Sequence, residues 1–155
     1  MNILSLLKPK ASVSYIYDSS SVRQGLEQMK AHKFTATPVI NKGGKYIGVV
    51  SEGDFLRHIL DNYTTVDLRL LEDVKIKDII NTKRYKPVRI NATMQDLLLL
   101  VMNQNFVSVI DDRDCFIGII TRKSVIEYFY NLEKARHAEA ASKEKPEQAA
   151  EMPIS

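Results

Sequence analysis

Gly48, Ser51 and Asp54 stand three residues apart in the run Gly48-Val49-Val50-Ser51-Glu52-Gly53-Asp54. The apolar residues before Ser51 read as the end of a strand, and the polar residues after it as the start of a helix. A serine at that junction can cap the helix or face a ligand, and the free amides of a first helical turn favour anions. Asp54 lies one helical turn on, so its carboxylate can rise beside the Ser51 hydroxyl. A carboxylate that accepts two hydrogen bonds suits the vicinal hydroxyls of a ribose. The alternative is local: Asp54 bonds backbone amides and closes the cap. The pattern leaves both open.

The pattern returns seventy residues later as Gly118-Ile119-Ile120-Thr121-Arg122-Lys123-Ser124, with Ser124 in the place of the carboxylate. Two cations at a helix N-terminus oppose the helix dipole, so an anion there would relieve a cost. A solvated basic turn is the other reading. The duplication extends further. Val39-Ile40 is matched by Val109-Ile110 and Ile47 by Ile117 at the same offset, while Ser21-Val22 and Leu26 answer Thr93-Met94 and Leu98 at seventy-two. The second copy has therefore lost two residues before Val109. A unit of this length is neither a solenoid repeat nor a coiled-coil heptad. It predicts two small domains packed together, with ligand chemistry where they meet and wherever they differ.

Each copy reads as β-α-β-β-α. In the first, Val13–Tyr17 suits a short strand, Ser21 a helix cap, and Val22, Leu26 and Met29 keep helical spacing to about His32. Strands at Thr37–Ile40 and Tyr46–Val50 flank a hairpin at Asn41–Lys45, where the glycines can take positive φ. Ser51 then caps a helix through Phe55, Leu56 and Ile59. Residues 61–75 read as connector, and Ile76–Ile80 as a short helical entry that mirrors residues 3–7. The second copy offers a strand at Val88–Ile90, a helix over Met94–Asn103, a hairpin of Phe106–Ile110 with Phe116–Ile120, and a helix from Arg122 to about Leu132. The expected repeats are 12–62 and 76–132, with 133–155 a polar tail, partly helical or disordered. Leu97–Met102 is apolar on every side, which predicts burial or a subunit interface, and a body this small favours the interface.

Composition removes several classes. A chain of 155 residues with 45% hydrophobic content makes one compact domain or two small ones sharing a core. Its net charge of +3 is too small to indicate nucleic-acid binding. Residues 133–155 hold four basic and five acidic residues, so the positive excess lies on the body and suits a small anionic ligand. The single cysteine, Cys115, excludes an internal disulfide and fits a reducing compartment. No apolar run reaches membrane-spanning length, and Met1–Lys8 lacks the charged start of a signal peptide. A cytoplasmic protein is expected. His32, His58 and His137 have no metal-ligand spacing, and no Ser, Cys or carboxylate pair has an identifiable catalytic partner. No metal, no resident cofactor and no enzymatic activity are expected. Gly43-Gly44-Lys45 lacks the spacing of a P-loop. The basic run Lys83–Arg89 could touch phosphates, or it is a solvated loop.

The doubled β-α-β-β-α unit, closed each time by Gly-x-x-[Ser/Thr], resembles a tandem pair of CBS domains, the Bateman module. The likeness runs from about Ser12 to Leu132 and includes the Thr37-Pro38-Val39 strand start. It implies an α/β fold of two repeats packed pseudo-symmetrically, without catalysis, that takes an adenosine-containing ligand in the cleft between them. It further implies that Ser51 and Asp54 hold the ribose. The base would be embraced by Ser12, Val13, Ser14 and Tyr15 together with Thr35, Ala36, Thr37 and Pro38. Thr121, Arg122 and Lys123 would reach the phosphate, and Ser124 departs from the family's Asp. Asn103–Val109 with Gly118–Lys123 resembles small stand-alone CBS-pair proteins of Gram-positive bacteria that bind cyclic di-AMP; AMP, ADP or ATP would use much the same residues. A homodimer is implied, with an effector protein regulated in trans. The competing expectation is an interaction scaffold that works without ligand.

Overall fold

The computed structural model describes residues 2–65 and 67–151. Its elements run β1 (Lys8–Pro9), β2 (Ile16–Tyr17), α1 (Val22–His32), β3 (Ala36–Ile40), β4 (Tyr46–Ser51), α2 (Glu52–Asn62), α3 (Ile76–Ile79), β5 (Val88–Arg89), α4 (Met94–Val101), β6 (Phe106–Ile110), β7 (Phe116–Thr121) and α5 (Arg122–Glu151).

Short polar side chains set where the chain turns. Ser21 Oγ accepts from the Gln24 amide at 3.1 Å, and Gln24 Oε1 accepts from the Ser21 amide at 3.0 Å, so α1 opens on a reciprocal cap. Thr93 and Asp96 repeat the device ahead of α4 at 3.1 and 2.9 Å. Both hairpins also share one chemistry. Asn41 Oδ1 accepts from the Lys45 amide, Asp111 Oδ1 accepts from the Cys115 amide, each at 2.9 Å, and the left-handed position falls on Gly44 (φ 88°) and Asp114 (φ 64°).

The sheets carry the duplication into three dimensions. One is β2-β3-β4 and the other β1-β7-β6-β5. Ala36 faces Ser51 and Val39 faces Gly48 across β3 and β4; Phe106 faces Thr121 and Val109 faces Gly118 across β6 and β7. A register shift falls after Val39 in one hairpin and after Val109 in the other. The two residues are lost from the helix and not, as the offsets suggest, from the loop before Val109: α4 has 8 residues against 11 in α1, partly offset by a loop one residue longer before β6.

The repeats trade their leading segments. Strand β1 pairs antiparallel with β7 of the second repeat, and Ile3 is fully buried in that repeat's core with Leu97, Val109 and Ile120. Reciprocally, Leu71 and Ile76 lie in the first core with Ile16, Val39 and Phe55. The strand glycines make room for this. A Cβ on Gly118 would meet the Lys8 carbonyl oxygen at 2.2 Å, and one on Gly48 would meet Ile80 Cδ1 at 3.1 Å and Thr82 Cα at 3.4 Å. The hairpins join across the middle: the Tyr46 amide donates to the Asp114 carbonyl and the Phe116 amide to the Gly44 carbonyl, at 2.9 and 3.0 Å.

Three expectations differ from the structure. Val13–Tyr17 yields a strand only at Ile16–Tyr17, after a turn of 3-10 helix at Lys10–Ser12, because this stretch first lies along the other repeat. The connector 61–75 contains a 3-10 turn at Leu68–Glu72 that the first core needs for Leu71. The last helix continues past Leu132 to Glu151, in keeping with its Ala, Glu and Lys content; residues 152–155 lie outside the described residues. On α4, Leu97 and Val101 are buried while Leu98 and Leu99, with Met102 just past its end, are exposed.

Candidate functional site

Alternation along β3 turns Ala36 and Pro38 to one face and Thr37 to the other. Ala36 and Pro38 line a cavity of about 250 Å³ between the repeats, which Ser12, Val13 and Ser14 close on one side and Ile119 and Thr121 on the other. Lys8, Phe34, Asn105 and Phe106 complete the wall. The lead-in is held in place by Gln28, whose Nε2 donates to Ser14 Oγ at 3.1 Å and to the Tyr15 carbonyl at 2.8 Å. Tyr15 packs edge-on against Tyr17 and Phe116, with Lys10 Nζ 5.3 Å from its ring centre. Burial, then the neighbouring Tyr17, pushes the Tyr15 phenol above its ordinary range. The Thr35 carbonyl accepts from the Glu52 amide at 3.0 Å. Thr37 is buried, its hydroxyl without a hydrogen-bond partner among the described residues.

Ser51 and Asp54 form a second centre beside this cavity. Asp54 is buried; its Oδ2 accepts from the Ser51 amide at 2.8 Å and from the Ser51 hydroxyl at 3.1 Å. Its other oxygen, Oδ1, accepts from Arg57 Nη2 at 2.6 Å. Arg84 Nη1 donates to Ser51 Oγ at 3.2 Å. Ser51 adjoins the cavity through Ala36, its partner across the sheet. In the second repeat, Ser124 closes on Thr121: its amide donates to Thr121 Oγ1 at 3.2 Å and its hydroxyl to the Thr121 carbonyl at 2.8 Å. Arg122 Nε donates to the Val101 carbonyl at 2.7 Å, at the C-terminal end of α4 where a cation is favourable. Lys123 is exposed, with Glu127 Oε1 3.9 Å away.

The structure thus brings Ser12, Val13, Ser14, Ala36 and Pro38 together with Thr121 around one cavity. It does not bring Tyr15, Thr35, Ser51, Asp54, Arg122 or Lys123 into that lining, although each belongs to a segment beside it, and Thr37 lies on the other face of β3. The exchange of leading segments is the reason. Residues 8–14 run along β7, so the first repeat's lead-in meets the second repeat's strand end, and Arg84, seventy-two residues after Ser12, meets Ser51 of the first. Sequence reasoning named Arg84 only within the basic run Lys83–Arg89, and Asn105 and Phe106 only within the Asn103–Val109 resemblance, without placing any of them at the cleft. Offset arithmetic could have found them, since Asn105 and Phe106 stand seventy residues after Thr35 and Ala36.

Known proteins share this architecture. The CBS-domain profile matches residues 9–61 and 76–131. An uncharacterised protein of Methanocaldococcus jannaschii is 24% identical over 72% of this chain and 83% of its own length. A homoserine O-acetyltransferase of Methanocorpusculum labreanum is also 24% identical over 71% of this chain, which spans only 21% of that enzyme. Among solved structures, CbpB in complex with c-di-AMP superposes with a TM-score of 0.80 at 25% identity, covering 90% of this chain and 91% of that one. CbpB from Streptococcus agalactiae gives 0.74 at 26% identity, covering 83% and 80%. With both repeats matched over most of the chain, and with doubled registers, caps and hairpin turns, the chain belongs to the CBS-domain family and folds as a tandem pair.

Proposed function

We propose that this chain is a non-catalytic sensor that takes an adenine nucleotide between its repeats, cyclic di-AMP or one of AMP, ADP and ATP. The observation that carries the reading is the inter-repeat cavity, walled by Ala36 and Pro38 from one repeat and Ile119 and Thr121 from the other. A mostly apolar slot with a few convergent hydroxyls suits a flat base. The c-di-AMP complex of CbpB, at 25% identity, supports the choice of ligand class. In this reading Ser12–Tyr15 with Thr35, Ala36 and Pro38 receive the adenine, Thr37 lying behind them on the other face of β3, and the Thr121-Arg122-Lys123 turn meets phosphate once Arg122 leaves the Val101 carbonyl. Ser51 and Asp54 take sugar hydroxyls where the guest extends past Ala36. Because the cavity is shared, a guest biases how the repeats sit, and a cytoplasmic effector protein reads that bias in trans.

Isothermal titration against AMP, ATP and cyclic di-AMP tests this. Micromolar or tighter binding of at least one, lost in Ala36→Phe, which fills the slot, is expected. Flat traces for all three would leave the competing scaffold, which the exposed apolar residues of α2, α4 and α5 favour.

A further inference from the structure

Lys8 is a wall of the cavity itself, and four further cations stand near the two strand ends, three of them with a partner. Arg57 neutralises Asp54 at 2.6 Å, Arg122 is bound to the Val101 carbonyl at 2.7 Å, and Lys123 lies out on α5 toward Glu127. Arg84 differs. Its guanidinium reaches the Ser51 hydroxyl at 3.2 Å, and it forms no ion pair among the described residues. The loop that carries it is fixed. Buried Gln104 holds Lys86 from both sides, accepting from its amide at 2.9 Å and donating to its carbonyl at 3.2 Å. Tyr85 lies parallel to Phe106, 6.4 Å between centres and 11° between planes, and the Arg84 guanidinium carbon sits 5.5 Å from the Tyr85 ring. Phe106 is itself a wall of the cavity. The chain Gln104, Tyr85, Phe106 therefore holds a guanidinium that has no ion pair among the described residues against the Ser51 hydroxyl, the group proposed to take a sugar.

We propose that Arg84 makes this end of the cleft selective for phosphorylated nucleosides. The inference rests on the reading that a sugar is held by Ser51 and Asp54. A neutral nucleoside that bonds Ser51 must displace the guanidinium and returns nothing for it. A nucleotide that bonds Ser51 offers the displaced guanidinium a phosphate oxygen, a charge-assisted bond well matched to the arginine fork. Asp54 is not that counter-charge: its ion pair among the described residues is with Arg57, at 2.6 Å, while its oxygens keep room to accept from a sugar. The phosphate at this end is thus read by the second repeat's lead-in, a role that the spacing of the Thr121 turn does not suggest.

Titration of adenosine, AMP and cyclic di-AMP into the unaltered protein, Arg84→Ala, Arg84→Lys and Lys123→Ala decides the matter. Arg84→Ala should weaken the phosphorylated ligands roughly ten- to a hundredfold while leaving adenosine unchanged or tighter, since a charged hydrogen bond is lost and Ser51 is freed. Arg84→Lys should recover part of the loss, because charge survives without the fork. Arg84 is exposed, so unchanged thermal melting is the check that the fold persists. Equal weakening of adenosine and AMP, or no weakening of either nucleotide, overturns the role of Arg84 and leaves nucleotide binding standing. Failure of the unaltered protein to bind either nucleotide overturns both readings together.

Discussion

Tyr46 and Ser108 put two hydroxyls in the seam between the repeats, neighbours whose geometry falls short of a hydrogen bond. Burial pushes the Tyr46 phenol up to about 12, and the Ser108 hydroxyl acts in the opposite sense with less effect. An unfolded tyrosine titrates near 10. The folded chain therefore holds the phenol proton more tightly, and the linked stability is complete below about pH 10 and lost as pH rises toward about 12. The loss over that window is on the order of 2–3 kcal/mol. Tyr46→Phe should flatten this alkaline limb relative to the unaltered protein in urea titrations at several pH values; parallel limbs would place the phenol in water. Neither hydroxyl announced itself in the sequence, because Tyr46 and Ser108 sit at non-equivalent positions of the two copies and meet only through the hairpin joint. Ser51 and Asp54 were legible because their spacing has a local meaning. The local meaning holds in the fold, where the carboxylate closes its own cap on the Ser51 amide and hydroxyl.

The elements repeat the contrast between local and distant information. Caps, hairpins and helical stripes depend on residues a few positions apart, and the β-α-β-β-α order could be read from them. The exchange of leading segments could not, since Lys8 and Ile3 lie in sequence beside the repeat that they do not join. The trace left in the sequence is the glycine at each motif's start, needed for close approach. Those two glycines should not tolerate change equally. Gly118→Ala drives a Cβ into the Lys8 carbonyl at 2.2 Å, on a backbone with φ of 156°, so β1 must move off β7. Gly48→Ala meets the movable end of Ile80 first, at 3.1 Å. The expected costs are about 2–3 kcal/mol at Gly118 and about 1 kcal/mol at Gly48, measured as shifts in urea midpoint at constant m. Equal costs would show that β1 has no fixed seat.

At the scale of the whole molecule, the pseudo-two-fold gives apolar surface on matching elements. Leu56 and Leu60 are exposed on α2, and Ile126 and Tyr130, each seventy residues later, are exposed on α5. Leu99 on helix α4 and Met102 just after it add to this, 65% and 71% exposed, beside the turns of α5 that α4 packs against. Single exposed apolar residues need no explanation, but two equivalent pairs on the helices that follow the same motif offer matching apolar faces to a second copy. A two-fold dimer would cover both pairs with one operation, since an isologous interface presents the same patch from each copy. The N-terminal ends of α2 and α5 carry Asp54 and Lys123, so such a contact would also tie subunit packing to the site. The expected state is a homodimer by light scattering at micromolar concentration, converted to monomer by Leu60→Glu with Tyr130→Glu. These positions are exposed within the chain, so helical content by circular dichroism should survive the change. A dimer indifferent to that pair but broken by Leu99→Glu would move the interface to α4, and a monomeric unaltered protein would leave the apolar faces to a different partner.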